Sequence, residues 1–409
     1  MDNQQGEGQG MRIAFLCAFV PYPLRDGDCV RADWMLRSLA KKHQVHGFFL
    51  DPDGIGKIPP EVSRHCVHAT RVPVSRLDRL SGLVQGLFQG WPFNASGFIS
   101  MKAMKTFHRM AAAWKIQGLH VHRLRMMPYA LNLKLPYILD ATDSISHYFK
   151  VARRGLPGWR KLYAWVDYPG VRQYERKWAE GAAATLVTTG QERGHILGLG
   201  VPTPVIAVPN GLDLRKYPFR SPLKRGKSLL FIGNMGYPPN IAGLEWFLKK
   251  CAYQVAIQEP ETRLVVVGRG VPRRLRKIAG RCGMEVEFTG FVEDAVAQYH
   301  RAAALVCSLP VAAGIQNKAI QAFACGTPVV ATANVAESLG GRHGRELLAA
   351  ADPEAFTSQV VKLLRDGRLR ERLARAAHRY ARQAWPEAKA GLGLARAEAF
   401  LAKSIRGNK

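Results

Sequence analysis

The sequence predicts an α/β chain built as two Rossmann-like βα domains facing across a cleft. Two observations carry that expectation. Short runs of β-formers alternate with stretches of helical spacing in both halves of the 409 residues, the pattern of parallel sheets with crossover helices. The alternation breaks once, at a proline-rich stretch (Pro202, Pro204, Pro209, then Pro218–Pro222), and restarts beyond it, as punctuation between domains does. The expected boundary is at 205/206.

The elements follow in chain order. Residues 1–10 are polar and Gln/Gly-rich, with no apolar core for a secretion signal, and read as a disordered extension. Ile13–Phe19 reads as a buried strand, Pro21–Asp28 as a loop, Val30–Lys42 as a helix and Val45–Leu50 as the next strand. Leu119–Val121 and Tyr137–Leu139 extend the same sheet, followed by a long helical stretch, Tyr163–Ala183, and a short strand, Ala184–Thr188. In the second domain, 206–385, the strands are Ser228–Ile232, Arg263–Val267, Glu285–Phe288, Ala304–Ser308 and Pro328–Ala331. Between them lie helices over Gly243–Gln258, Val271–Cys282, Ala295–Ala303 and Ile315–Cys325. In open sheets of this kind ligands bind outside the carboxyl ends of the strands.

Composition narrows the function classes. Apolar residues make up 47% and charged residues 22%, ordinary for a globular protein. No apolar stretch approaches the ~20 residues of a membrane span. Seven scattered cysteines without a CxxC pair argue against a disulfide framework or zinc site and suit a reducing cytoplasm. The net charge of +28 attracts polyanions such as anionic lipid or phosphorylated substrates. No nucleic-acid-binding motif accompanies it, so no specific nucleic acid is expected. Between Arg76 and Lys115, leucines and aromatics interleave with Arg and Lys, which suits a helix lying on an anionic membrane surface as well as one packed inside the domain.

The loops after the strands hold the candidate chemistry. Leu309–Val330 reads as strand end, small-residue loop (Ala312, Ala313, Gly314) and helix opening near Ile315–Asn317. Such a turn lets an anion approach the backbone at the positive end of a helix. Lys318 sits in the first helical turn, where a cation suits a bound anion better than it suits the helix. Gly233 and Gly268 end two further strands, and Gly27 lies in the loop after the first. The pairs Asp26/Asp28 and Asp51/Asp53 have a metal-binding spacing but are common by chance, and no metal or cofactor is expected.

These residues resemble a family 4 type glycosyltransferase (glycosyl transferases group 1) of the GT-B fold. The segments are VPNGLD, FIGNMGYPPNIAGLEWF, RLVVVGRG, VEFTGFVED and GIQNKAIQAFACGTPVVAT, with an N-terminal half similar to exopolysaccharide-associated sugar transferases. The resemblance implies transfer from a UDP- or GDP-sugar, retaining and metal-independent, to a lipid-linked or glycan acceptor. It also implies a peripheral place on the inner face of the cell membrane, and a closing helix, 386–409, that crosses back to the first domain. It assigns Gly314, Ile315, Gln316, Asn317 and Lys318 to the diphosphate, with Gly233 and Asn234 flanking it. Gly268, Arg269, Phe291 and Val292 wall the base, and Gly27, Asp28 and Arg31 face donor and acceptor. Asp140 or Asp143 orients or deprotonates the acceptor hydroxyl, the choice between them being open. Where relatives carry a pair of glutamates, one on the sugar hydroxyls and one on the ribose, this chain has Ala313, which can bond nothing, and Gln321, which can still hydrogen-bond the donor's ribose. That departure favours a further reading, a degenerate binding or scaffolding protein, and the shared two-domain fold leaves another, a sugar-nucleotide epimerase.

Overall fold

The computed structural model describes residues 10–24, 26–52, 54, 56–155, 159–211, 213–310 and 314–407. The extension expected over residues 1–10 lies outside them except for Gly10, as do Asp53 and the Ala312–Ala313 pair. The chain divides into two compact units, Met1–Asn210 with Ala390–Lys409, and Gly211–Lys389.

The first unit is built on seven parallel strands: β1 (Arg12–Cys17), β2 (Gln44–Asp51), β3 (His68–Pro73), β4 (Gly118–His122), β5 (Tyr137–Thr142), β6 (Ala184–Val187) and β7 (Val205–Ala207). Their order in the sheet is β3-β2-β1-β4-β5-β6-β7. Alternate residues of β1 serve opposite faces: Ala14 and Leu16 join one core, Ile13, Phe15 and Cys17 the other. That period of two is what a strand buried on both sides requires. The closing helix, Glu387–Gly407, contributes Ala390, Leu394, Ala397 and Leu401 to the second of these cores.

The second unit repeats the plan with six strands: β8 (Ser228–Ile232), β9 (Arg263–Val267), β10 (Glu285–Gly290), β11 (Ala304–Cys307), β12 (Val329–Thr332) and β13 (Leu348–Ala350). Their order is β10-β9-β8-β11-β12-β13, every pairing parallel.

The structure corrects several expected elements. β3, β7 and β13 were not foreseen. β7 and β13 are three residues each, and β3 is a half-buried edge strand, too short or too polar to announce themselves. The helix expected from Val30 begins at Gly27, because the Asp26 side chain accepts from Cys29 N at 3.0 Å and caps it. The helix expected over Gly243–Gln258 is two, Pro238–Lys250 and Ala252–Gln258, separated at Cys251. It opens early because proline suits the first helical turn.

Candidate active site

In each sheet the first strand lies beside the fourth, β1 next to β4 and β8 next to β11. Connections leave that pair in opposite directions, so the loops diverge and open a crevice at the strands' carboxyl ends. Of the sequence-derived candidates, Gly233, Asn234, Gly268, Arg269, Phe291, Val292, Gly314, Ile315, Gln316 and Asp143 follow strands in loops. Gly27, Asp28, Arg31, Asn317, Lys318 and Gln321 lie in the helices beyond such loops, and Asp140 lies within β5.

In the second unit, three such loops are laced edge to edge. Gly233 N donates to Val267 O (3.0 Å), Met235 N to Arg269 O (3.1 Å) and Gly268 N to Gly290 O (2.8 Å). The approach is close enough to demand glycine: a Cβ on Gly268, whose φ is +149°, would stand 1.9 Å from the Gly233 carbonyl oxygen. Beside them the Arg269 guanidinium lies 4.3 Å from the centre of the Phe291 ring. Phe291 itself is exposed and its neighbour Val292 half-buried. Gly268, Arg269 and Phe291 thus lie side by side, and Val292, next in the chain, packs toward the core.

Across the crevice, Gly314, with φ +69°, leads through Ile315 and Gln316 into the Asn317–Cys325 helix. Lys318, in its first turn, is half-buried and donates from Nζ to Asn240 Oδ1 at 2.6 Å. Asn240 Nδ2 donates in turn to Asn234 O at 2.9 Å, and a Cβ on Gly233 would meet that same nitrogen at 2.7 Å. Lys318, Asn240, Asn234 and Gly233 thus form one bonded group joining the loops after β8 and β11. Burial lowers the Lys318 pKa, while the nearby Cys307 thiol acts the other way. Gln321 is engaged at both ends, its Oε1 accepting from Tyr299 OH (3.0 Å) and its Nε2 donating to Tyr217 OH (2.9 Å).

The first unit's crevice is filled with ion pairs. Arg31 and Asp140 are both fully buried. The guanidinium donates to Asp140 Oδ1 from Nη2 (2.7 Å) and Nε (2.9 Å), and from Nη1 to Val208 O (2.7 Å) and Asn210 Oδ1 (2.9 Å). Burial opposes ionisation of Asp140, but Arg31, His120 and His122 outweigh it and hold the carboxyl well below the usual range. His122, buried at the end of β4, donates from Nδ1 to Asp140 Oδ2 at 2.9 Å. Burial lowers the His122 pKa while Asp140 pulls the other way, and among the described residues its Nε2 has no hydrogen-bond partner.

Next to it Arg123, in the left-handed region with φ +73°, pairs with Asp28 and lies 3.8 Å from Asp143. Burial opposes the charge of Asp28, yet Arg123 and His122 hold its carboxyl below the usual range. Asp143 keeps a quarter of its side chain exposed and accepts from Thr188 Oγ1 at 2.9 Å. Burial pushes its carboxyl up to about 6 against the pull of Arg123. Buried Glu192 and Glu175 then fix the chain beyond Asp143, accepting from the backbone nitrogens of Ser144 and Ile145 at 2.8 Å or less.

Known proteins share this architecture. Residues 226–366 match the family model described as glycosyl transferases group 1. The phosphatidyl-myo-inositol mannosyltransferase of Mycolicibacterium smegmatis is 26% identical over 309 residues, 72% of this chain and 75% of that protein. The family match, the relative and the fold together support a group 1 glycosyltransferase. Solved structures show its GT-B fold. Sucrose-phosphate synthase from Thermosynechococcus elongatus superposes with TM-score 0.75 at 17% identity, covering 98% of this chain and 100% of that one. Anabaena HepE in complex with UDP and glucose follows with TM-score 0.68 at 13% identity, covering 94% and 98%.

Within the chain the structure separates the expected site residues into two groups. Gly233, Asn234, Gly268, Arg269, Phe291, Val292, Gly314, Ile315, Gln316, Asn317, Lys318 and Gln321 lie in the second unit, and Gly27, Asp28, Arg31, Asp140 and Asp143 in the first. Arg31, expected to face donor and acceptor, and Asp140, expected as a possible base, instead satisfy each other out of reach of solvent. Of the two carboxylates, Asp143 is the partly exposed one. Sequence reasoning passed over His122 and Arg123. The pair His120/His122 at alternate strand positions was visible but matched no metal or nucleophile pattern.

Proposed function

We propose that this glycosyltransferase moves a sugar from a UDP- or GDP-sugar to a lipid-linked or polysaccharide acceptor. The transfer is retaining and metal-independent, and takes place at the cytoplasmic membrane face in exopolysaccharide or cell-surface glycan synthesis. The observation that carries the reading is the bonded group of Lys318, Asn240, Asn234 and Gly233 beside the opening of the Asn317–Cys325 helix. Breaking the sugar–phosphate bond leaves negative charge on a diphosphate and an oxocarbenium-like sugar. A desolvated ammonium held in place and a helix N-terminus stabilise that charge as it develops, without reorganising.

Arg269 and Phe291 offer a stacking wall for the base. In the first unit, the partly exposed Asp143 orients the acceptor. The HepE complex with UDP and glucose supports a uridine donor, and the mycobacterial relative, named for a phosphatidyl-inositol, supports a lipid acceptor. One observation favours a second reading, a degenerate binding or scaffolding protein: Gln321, which replaces a family carboxylate, is held by two tyrosines.

Thermal-shift measurements with UDP, GDP, CMP and ADP decide between them. The enzyme reading expects stabilisation by UDP or GDP, about 2.7 kcal/mol at roughly 100 times the Kd. Silence toward every diphosphate would sink it.

A further inference from the structure

The Arg76–Phe88 helix of the first unit is mounted with its apolar stripe facing water. Its N-terminus is fixed by a capping box, Ser75 Oγ accepting from Asp78 N (3.1 Å) and Asp78 Oδ2 from Ser75 N (2.8 Å). The other Asp78 oxygen accepts from Ser100 Oγ (3.1 Å), which ties it to the head of the Met101–Ala113 helix. Inward the helix presents Gly82 and Gly86, both buried. A Cβ would stand 2.6 Å from the Ser96 carbonyl oxygen at the first and 1.8 Å from Ser96 Oγ at the second. Backbone is therefore what packs against the domain.

Outward, Leu77, Leu80, Val84, Leu87 and Phe88 succeed one another at helical spacing, 78%, 60%, 49%, 63% and 88% exposed. Single exposed leucines are ordinary, but an amphipathic helix of a soluble domain turns such a stripe inward. A contiguous outward stripe marks a surface made for a partner.

Charge identifies the partner. Between Asp78 and Asp140 the sequence has no Asp or Glu and eight Lys or Arg. Three of these, Lys102, Lys105 and Arg109, stand exposed on the Met101–Ala113 helix. A second copy of the chain would set these cations against themselves, under a net charge of +28 on each molecule. An anionic bilayer supplies both missing halves, hydrocarbon for the leucines and phosphates for the cations.

We propose that the Arg76–Phe88 helix lies in the plane of an anionic membrane. Its leucines sit at the boundary of headgroups and acyl chains, and the lysines of the neighbouring helix rest on lipid phosphates. This deepens the reading of a membrane-borne acceptor, on which it rests, by naming the surface that meets the membrane.

Flotation of the full chain with phosphatidylcholine vesicles, with and without phosphatidylglycerol, tests it. The wild type is expected to float with the anionic vesicles only. The variant Leu80→Ser/Leu87→Ser/Phe88→Ser is expected to bind at least about tenfold more weakly, with an unchanged melting curve because these side chains are exposed. Lys102→Ser/Lys105→Ser should weaken binding and flatten its salt dependence. If wild type and leucine variant float alike, the membrane contact lies elsewhere and this surface is overturned, while the membrane reading stands. If the wild type fails to float on anionic vesicles, both fall together.

Discussion

The crevice of the first unit and that of the second occupy the same place in the same strand order, and they are furnished in opposite ways. At the β1/β4 end, Arg31, Asp140, His122, Arg123 and Asp28 answer one another's charges. At the β8/β11 end, the ammonium of Lys318 rests on a neutral amide. Buried charge that is already paired holds backbone in place. A half-buried cation with an amide and the Phe231 ring beside it, and no carboxylate partner in its bonded group, keeps most of its Coulomb attraction for something that arrives. The same topology thus yields one crevice made rigid by its own residues and one left electrostatically unfinished.

Removing one partner of the paired crevice should have the largest effect. Arg31→Ala is expected to cost about 3–5 kcal/mol in denaturant unfolding, because Asp140 is left charged and buried. The double variant Arg31→Met/Asp140→Leu should lose less than either single removal, since no charge is stranded. The unfinished crevice should behave the other way. Lys318→Ala is expected to lower turnover about 10²–10³-fold while leaving the unfolding midpoint nearly unchanged. If Lys318→Ala instead unfolds the protein as Arg31→Ala does, with turnover per folded molecule intact, the contrast between the crevices collapses.

The smallest effect falls on Asp143. Its carboxyl, raised to about 6 in the folded chain, lies above the ordinary value of about 3.9. Between those two values the folded state keeps a proton that the unfolded state has lost. This group's contribution to stability is therefore present at low pH and lost as pH rises from about 4 through 6. Asp143→Asn should remove that slope, gain on the order of 1 kcal/mol at neutral pH, and erase any limb of the turnover profile near pH 6. A slope that survives the substitution would assign the titration to another group.

Much of the second unit was legible because its signals are local. A strand, a small-residue turn and a lysine in the first helical turn lie within a few residues of each other around Lys318. What could not be read depends on contacts distant in sequence. Arg31 and Asp140 are 109 residues apart, and nothing near either says that each is spent on the other. Gln321 looked available for a ribose until Tyr217 and Tyr299, brought in from outside its helix, were seen to hold both ends. The leucines of Arg76–Phe88 have the spacing of a core-facing helix. Only the backbone packing of Gly82 and Gly86 shows that the stripe points outward.

The membership of Ala390–Lys409 in the first unit has a consequence for biosynthesis. Leu394, Ala397 and Leu401 fill a core whose strands are made from Ile13 onward. At ribosomal speeds of about 5–20 residues per second, the intervening second unit takes roughly ten to forty seconds to emerge. During that interval the earlier sheet has one apolar side unfilled, so the half translated first is the half that finishes folding last. Nascent chains halted before Ala390 should accordingly be the ones that chaperones hold.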